Sequence, residues 1–105
     1  MQTIPTPTTR TRTYESGETA QFTDWTIGAY ALRKTEEPGY TGWAVLTADR
    51  DLPRVENENP GPTPKFGVSC YSNSGMNPAG AAAYAAQIMA AAQAAMTFNM
   101  IVAAN

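Results

Sequence analysis

Hydrophobic and polar residues alternate along much of the first half of the chain, which is the pattern of strands with two different faces. In residues 9–14, threonine alternates with Arg10, Arg12 and Tyr14, and this pattern predicts an edge strand with one charged face. Residues 1–8 contain two prolines and no periodic pattern, so we expect a flexible N-terminal arm there.

Residues 24–35 and 40–48 are two further alternating segments of similar length. The sequence EEPG at 36–39 separates them, and its Pro-Gly pair suits the centre of a type II turn. We therefore expect an antiparallel hairpin, with Trp43 and Val45 on one face of the second strand. If 24–35 is a single strand, one face carries Trp25, Ile27, Ala29 and Ala31, and the other carries Thr26, Gly28, Tyr30 and Leu32.

Residues 49–64 hold four prolines, one glycine and six charged residues. This composition predicts a long exposed loop without regular structure, and such loops are often functional. The sequence KFGVSCY at 65–71 predicts a third core strand with Phe66, Val68 and Cys70 on one face. We expect Cys70, the single cysteine, to be buried as a small hydrophobic residue.

The last third of the chain predicts one long helix. Asn77 suits the N-cap and Pro78 the first helical position, and alanine-rich sequence continues to about Met96. Residues 97–105, TFNMIVAAN, either extend the helix or form a final strand. Helical spacing directs Ala81, Tyr84, Ile88, Ala91, Ala95 and Phe98 toward the sheet. The opposite face then carries Ala82, Ala83, Ala86, Gln87, Ala90, Gln93 and Ala94.

This helix carries no charge, because all 16 charged residues lie between Arg10 and Lys65. Its outward face is either solvated, since exposed alanine costs little, or a protein interface, since small side chains let another backbone come close. The uncharged stretch 79–104 is also long enough to span a bilayer. Amide side chains interrupt it and no Lys or Arg flanks it, so we expect no membrane insertion.

These elements predict an α+β fold: an antiparallel sheet of three to five strands with one long alanine-rich C-terminal helix packed on one face. A chain of 105 residues is expected to form one domain, here 9–105, with the long loop at 49–64. One cysteine and no recognisable secretory signal indicate a cytoplasmic protein.

The composition offers little for catalysis. There is no histidine, so Cys70 has no imidazole to activate it and the commonest metal ligand is missing. Asp49 and Asp51 could face a divalent cation, but Arg50 and Arg54 offset their charge. No glycine-rich phosphate loop is present, and a net charge of −2 gives no basic patch for nucleic acid. We expect no enzyme activity, no cofactor and no bound metal.

A sheet followed by NPAGAAAYAAQIMAAAQ at 77–93 and FNMIV at 98–102 resembles the ββαβ order of some small phage-encoded anti-CRISPR proteins, in which a short strand follows an alanine-rich helix. The resemblance covers about the last forty residues and rests on composition and order, so no functional residue can be carried over. It implies a non-enzymatic protein that blocks a bacterial defence complex inside the host cell by occupying a surface.

The predicted function is therefore a protein–protein interaction module, with a phage or mobile-element inhibitor as its leading form. The alternative is a homo-oligomeric structural or assembly component of a virion, which would use the alanine face as its self-contact. The partner is expected to be a protein, either a host complex or a second copy. The candidate partner-binding residues are Ala82, Ala86, Gln87, Ala90 and Gln93 on the helix, and Asp49, Arg50, Asp51 and Arg54 in the loop.

Overall fold

The computed structural model describes residues 3–59, 61–70 and 75–105, and in these residues the chain forms two antiparallel sheets and one long helix. This confirms the α+β class. The larger sheet has the order β1-β2-β3-β4, β5 pairs with β6, and a C-terminal helix follows. The elements are β1 (Thr8–Thr13), β2 (Thr19–Ile27), β3 (Tyr30–Glu37), β4 (Tyr40–Thr47), β5 (Arg54–Asn57), β6 (Phe66–Ser69) and α1 (Pro78–Ala104).

The prediction of one continuous strand at 24–35 is wrong, because the chain reverses at Gly28 between β2 and β3. Gly28 has φ +58°, and glycine with positive φ is favoured at the first central position of a type II′ hairpin turn. Across this turn Trp25 pairs with Leu32, an odd position with an even one. The two residues therefore share a face, whereas the single-strand prediction placed them on opposite faces.

The hairpin of β3 and β4 confirms the prediction made from the EEPG sequence. Glu37 pairs with Tyr40 in an antiparallel ladder, with Pro38 and Gly39 between them. Gly39 has φ +77°, the conformation that a type II turn requires at its second central residue. At the opposite side of the sheet β1 is fully exposed along its length, as expected for an edge strand.

The core lies between one face of the large sheet, the β5–β6 pair and the C-terminal half of α1. That half of α1 packs mainly on β6 and β5 and also reaches β3. Two aromatic pairs organise the packing: the rings of Trp25 and Trp43 stack with centroids 6.0 Å apart, and those of Phe66 and Phe98 meet edge to face at 6.2 Å. The buried cluster comprises Trp25, Tyr30, Leu32, Val55, Phe66, Ala91, Ala94, Ala95, Phe98, Ile101 and Val102.

The prediction of an unstructured loop at 49–64 is also wrong, because β5 lies inside it. Val55 is only 4% exposed and Pro53 is buried as well. The hydroxyl of Tyr30 donates a hydrogen bond to the Pro53 carbonyl, which ties this segment to β3. The four prolines of the segment flank β5 rather than interrupt it, so the strand keeps all its N–H donors.

The strand β6 is shorter than the alternating pattern predicted. Phe66 is buried and Val68 is half-buried, as expected. Cys70 is exposed, which corrects the prediction of a buried thiol, because β6 ends at Ser69 and the alternation does not extend past it. The Asn99 side chain joins β6 to α1: its Oδ1 accepts from the Phe66 N–H at 2.7 Å and its Nδ2 donates to the Phe66 carbonyl at 3.0 Å.

Helix α1 begins where the sequence predicts and ends later. Asn77 Oδ1 accepts from the Gly80 N–H at 2.7 Å, and Pro78 occupies the first turn. The helix continues through residues 97–103 to Ala104, so the alternative of a final strand is excluded. A helix of 27 residues is about 40 Å long.

Candidate interaction surface on helix α1

The N-terminal half of α1, residues 78–90, extends beyond the core; we call it the projecting half. Tyr84 and Ile88 are half-buried, and every other residue of this half is exposed. Full burial begins only at Ala91. About 20 Å of helix therefore lacks a close-packed neighbour on most of its circumference. Ala81, predicted to face the sheet, is exposed because it lies in the projecting half.

An exposed row of residues runs along the whole of α1 on the side away from the core. Its members alternate in spacing between three and four residues, which is the heptad spacing of helices that pair with other helices. Each of them is exposed. We call this row the outer seam, and it consists of Ala79, Ala82, Ala86, Met89, Gln93, Met96, Met100 and Ala103.

The outer seam is apolar at every position except Gln93. Met89, Met96 and Met100 are 64%, 53% and 44% exposed, and they are among the largest exposed hydrophobic side chains of the fold. Neither end of α1 carries a charged residue in its terminal turn. Contiguous apolar surface on a soluble domain commonly marks an interaction site, and methionine is frequent at such sites because its side chain adapts to the partner.

The structure divides the predicted helix residues between two surfaces. Ala82, Ala86 and Gln93 lie on the outer seam, as predicted. Gln87 and Ala90 instead line a groove of about 330 Å³ beside the turn between β2 and β3. The other residues of this groove are Ile27, Gly28, Ala29, Tyr30, Leu52 and Gln93.

One helix residue was placed on the wrong side by the sequence prediction. Ala94 is fully buried, although it was predicted on the outward face. The reason is that α1 packs on β6 and β5 as well as on β3, so the core contacts a wider arc of α1 than one sheet face would. Ile101 and Thr97, on the same flank as Ala94, are buried for this reason too.

The loop candidates do not join the outer seam. Arg50 and Arg54 line a second groove, of about 290 Å³, and Leu52 separates it from the groove beside α1, since Leu52 lines both. Arg54 also pairs with Glu56 at 3.5 Å. Asp49 Oδ1 accepts from the Asp51 N–H at 2.9 Å, so this carboxylate closes a local turn. Within the described part of the chain, no three His, Cys, Asp or Glu side chains cluster as metal ligands.

The face of the large sheet away from the core carries a cluster of charged and aromatic side chains. The guanidinium groups of Arg10 and Arg33 lie 5.0 and 5.3 Å from the centroid of the Phe22 ring. Arg33 also makes a two-pronged ion pair with Asp24, at 2.8 and 3.0 Å. These hydrogen bonds hold the pKa of Asp24 below its ordinary value. Arg33 is neutralised by Asp24 and both guanidinium groups pack on the Phe22 ring, so we assign the cluster a structural role.

Helix α1 meets the length and composition requirements for a membrane span. Its C-terminal half is nevertheless packed into the core through Ala91, Phe98 and Ile101. Crossing a bilayer would require these residues to leave the sheets. Burial in the fold thus explains the apolar character of that half. It does not explain the exposed apolar side chains of the outer seam.

Comparison with protein-family models, with curated proteins and with solved structures finds no match to this chain.

Sequence reasoning missed the methionines of the outer seam. The predicted outward face contained alanine and glutamine residues only. The usable signal was the spacing of three and four residues that continues from Ala82 through Met89 and Met96 to Met100.

Proposed function

We propose that this protein is a non-enzymatic protein–protein interaction module and that its binding element is the outer seam of α1. The observation that carries the proposal is the projecting half, an uncharged helical segment of 13 residues, 78–90, with little packing against the fold. The packed half of α1 nucleates this segment, but most helical stability in proteins comes from tertiary packing, of which the projecting half has little. A second protein surface on the seam would supply the packing that the fold does not.

The form of module expected from the resemblance is an inhibitor that occupies a surface of a bacterial defence complex. Its support is a sheet followed by an alanine-rich helix; the final strand of that element order is absent, because residues 97–103 are helical. The assembly component is the second candidate, and the continuity of the outer seam over the whole of α1 favours it. Both forms place the contact on the same residues, and one set of variants therefore tests both.

The test introduces charge on two sides of the same helix. Ala82→Glu with Ala86→Lys places an ion pair on the outer seam at positions i and i+4. Ala83→Glu with Gln87→Lys places the same pair on exposed positions outside the seam. On the isolated chain, both pairs should leave the free energy of unfolding within about 0.5 kcal/mol of the parent. At a close-packed interface, the outer-seam pair meets steric clash and buried charge.

We expect both variants to keep the parent circular dichroism spectrum and melting temperature. Association should be lost only in the outer-seam variant, whether measured as self-association by light scattering or as proteins retained from bacterial lysate on the immobilised chain. Association of the outer-seam variant equal to that of the parent would show that the outer seam is solvated, and the proposal would then be wrong.

A further inference from the structure

The outer seam changes in side-chain size along its length. In the N-terminal half of α1 it is alanine at positions 79, 82 and 86. Met89 and Gln93 lie at its centre, and the C-terminal half carries Met96, Met100 and Ala103. Alanine at 82 and 86 and methionine at 100 and 96 therefore become complementary in size when the direction of the seam is reversed.

We propose that α1 pairs with α1 of a second copy of this chain in an antiparallel arrangement with a two-fold axis near residue 91. This inference rests on the proposed function, since it names the partner of the outer seam. In this register the seam residues face each other in pairs that are equidistant from the axis. The pairs are Ala79 with Ala103, Ala82 with Met100, Ala86 with Met96, and Met89 with Gln93, with one member of each pair from each copy.

The antiparallel direction follows from packing. Interiors and interfaces pack at nearly constant density, so large side chains are best placed against small ones. In the antiparallel register, Met96 and Met100 each meet an alanine of the other copy. A parallel pair would place methionine against methionine at one end and alanine against alanine at the other. Contact of methionine with methionine would push the helices apart, and contact of alanine with alanine would leave a void between them.

Symmetry and charge also favour a second copy as the occupant. A two-fold interface uses the same patch on both subunits, with residue i on j and j on i, and the seam meets this condition at every level. The chain carries no charge after Lys65, so two α1 helices do not repel each other. A partner with a charged binding surface would instead find no complementary charge on the seam.

The fold leaves room for this pairing. Both sheets contact the side of α1 that carries Ala91, Phe98 and Ile101, so they leave the outer seam exposed along its whole length. A helix about 40 Å long and 10–12 Å wide offers a footprint of roughly 400–500 Å² on each copy. The total is close to the lower limit for specific association, so we expect a reversible dimer rather than an obligate one.

The test uses single cysteines in a Cys70→Ser background, a change at an exposed position. Ala82→Cys and Met100→Cys are made in separate proteins and then mixed under mild oxidation. The antiparallel register brings position 82 of one copy to position 100 of the other. It keeps position 82 about 27 Å along the axis from position 82 of the other copy, beyond the reach of a disulfide.

We expect the mixture to give a disulfide-linked dimer that contains one chain of each kind, identified by its intact mass. Ala82→Cys alone should give at least tenfold less covalent dimer. The control is Ala83→Cys mixed with Met100→Cys, which should cross-link no more than Ala82→Cys alone, because position 83 lies off the outer seam. Light scattering of the parent chain should show a mass that rises with concentration from 11.2 kDa toward twice that value.

Two results would overturn the inference. Efficient cross-linking of Ala82→Cys with itself would indicate a parallel pair. A mass that stays at the monomer value at every concentration, without cross-linking in any mixture, would exclude a second copy as the occupant of the seam. A monomeric chain would not decide the proposed function, which is tested separately. The outer-seam charge variant could still fail to bind a different protein that binds the parent chain.

Discussion

Truncation of Phe98 to alanine is expected to lower the free energy of unfolding by about 3–5 kcal/mol. Phe98 is fully buried, and its ring meets Phe66 edge to face with a centroid distance of 6.2 Å. It lies where α1 contacts β6, so its loss leaves a cavity at the junction of the helix and the small sheet. A domain of this size has about 5–15 kcal/mol of stability in total, so the variant should be largely destabilised.

The measurement is equilibrium unfolding in denaturant, followed by circular dichroism at low protein concentration. Met100→Ala is the matched control, since it removes a large apolar side chain from an exposed position two residues away. It should change the free energy of unfolding by about 0.5 kcal/mol or less. If the two variants lose the same stability, the assignment of core and outer sides on α1 is wrong.

Truncation of Trp25 to alanine is expected to have an effect of similar size, again about 3–5 kcal/mol. Trp25 is only 5% exposed and stacks on Trp43, at the centre of the sheet face that meets the core. Trp43 is half-buried, with the Lys34 amine 5.5 Å from its ring centroid. We therefore expect Trp43→Ala to cost clearly less than Trp25→Ala.

The pair of variants tests the face assignment of β2 directly. Thermal and denaturant unfolding of both should rank Trp25→Ala as the less stable protein. A reversed order would mean that the register across the Gly28 turn is wrong. A melting temperature of Trp43→Ala equal to that of the parent would show that this ring adds nothing to the core, and would make it a candidate for partner contact.

The sequence predicts those parts of the fold that depend on local signals. The hairpin of β3 and β4 has a Pro-Gly turn, and α1 has an Asn77 cap followed by proline, so both are readable without the rest of the chain. The core positions shift from odd to even numbers across the turn between β2 and β3, but the small residues Gly28, Ala29 and Ala31 hide the shift, so the turn was missed. Strand β5 was missed because its stability comes from the burial of Val55 against the core and from pairing with β6.

Part of the candidate surface was predicted, because helical spacing is also a local signal. Helical spacing separates the two sides of α1, and it placed Ala82 and Ala86 correctly on the outward side. It cannot show how wide an arc of the helix the core covers, because this depends on where β5 and β6 lie. Ala94 was therefore misplaced. The extent of the projecting half was not predictable either, since nothing in the alanine-rich sequence marks Ala91 as the point where burial starts.

Methionine oxidation tests directly whether a second copy covers the outer seam. With purified protein at high concentration and dilute peroxide, the account predicts slow oxidation of Met89, Met96 and Met100, because the second copy covers their thioethers. Met76 is 40% exposed and lies outside the seam, so it should oxidise freely and serves as the internal reference. In the variant with Ala82→Glu and Ala86→Lys, the three seam methionines should oxidise as fast as Met76. Equal rates for the seam methionines in the parent and in this variant would contradict the pairing of two copies through the outer seam.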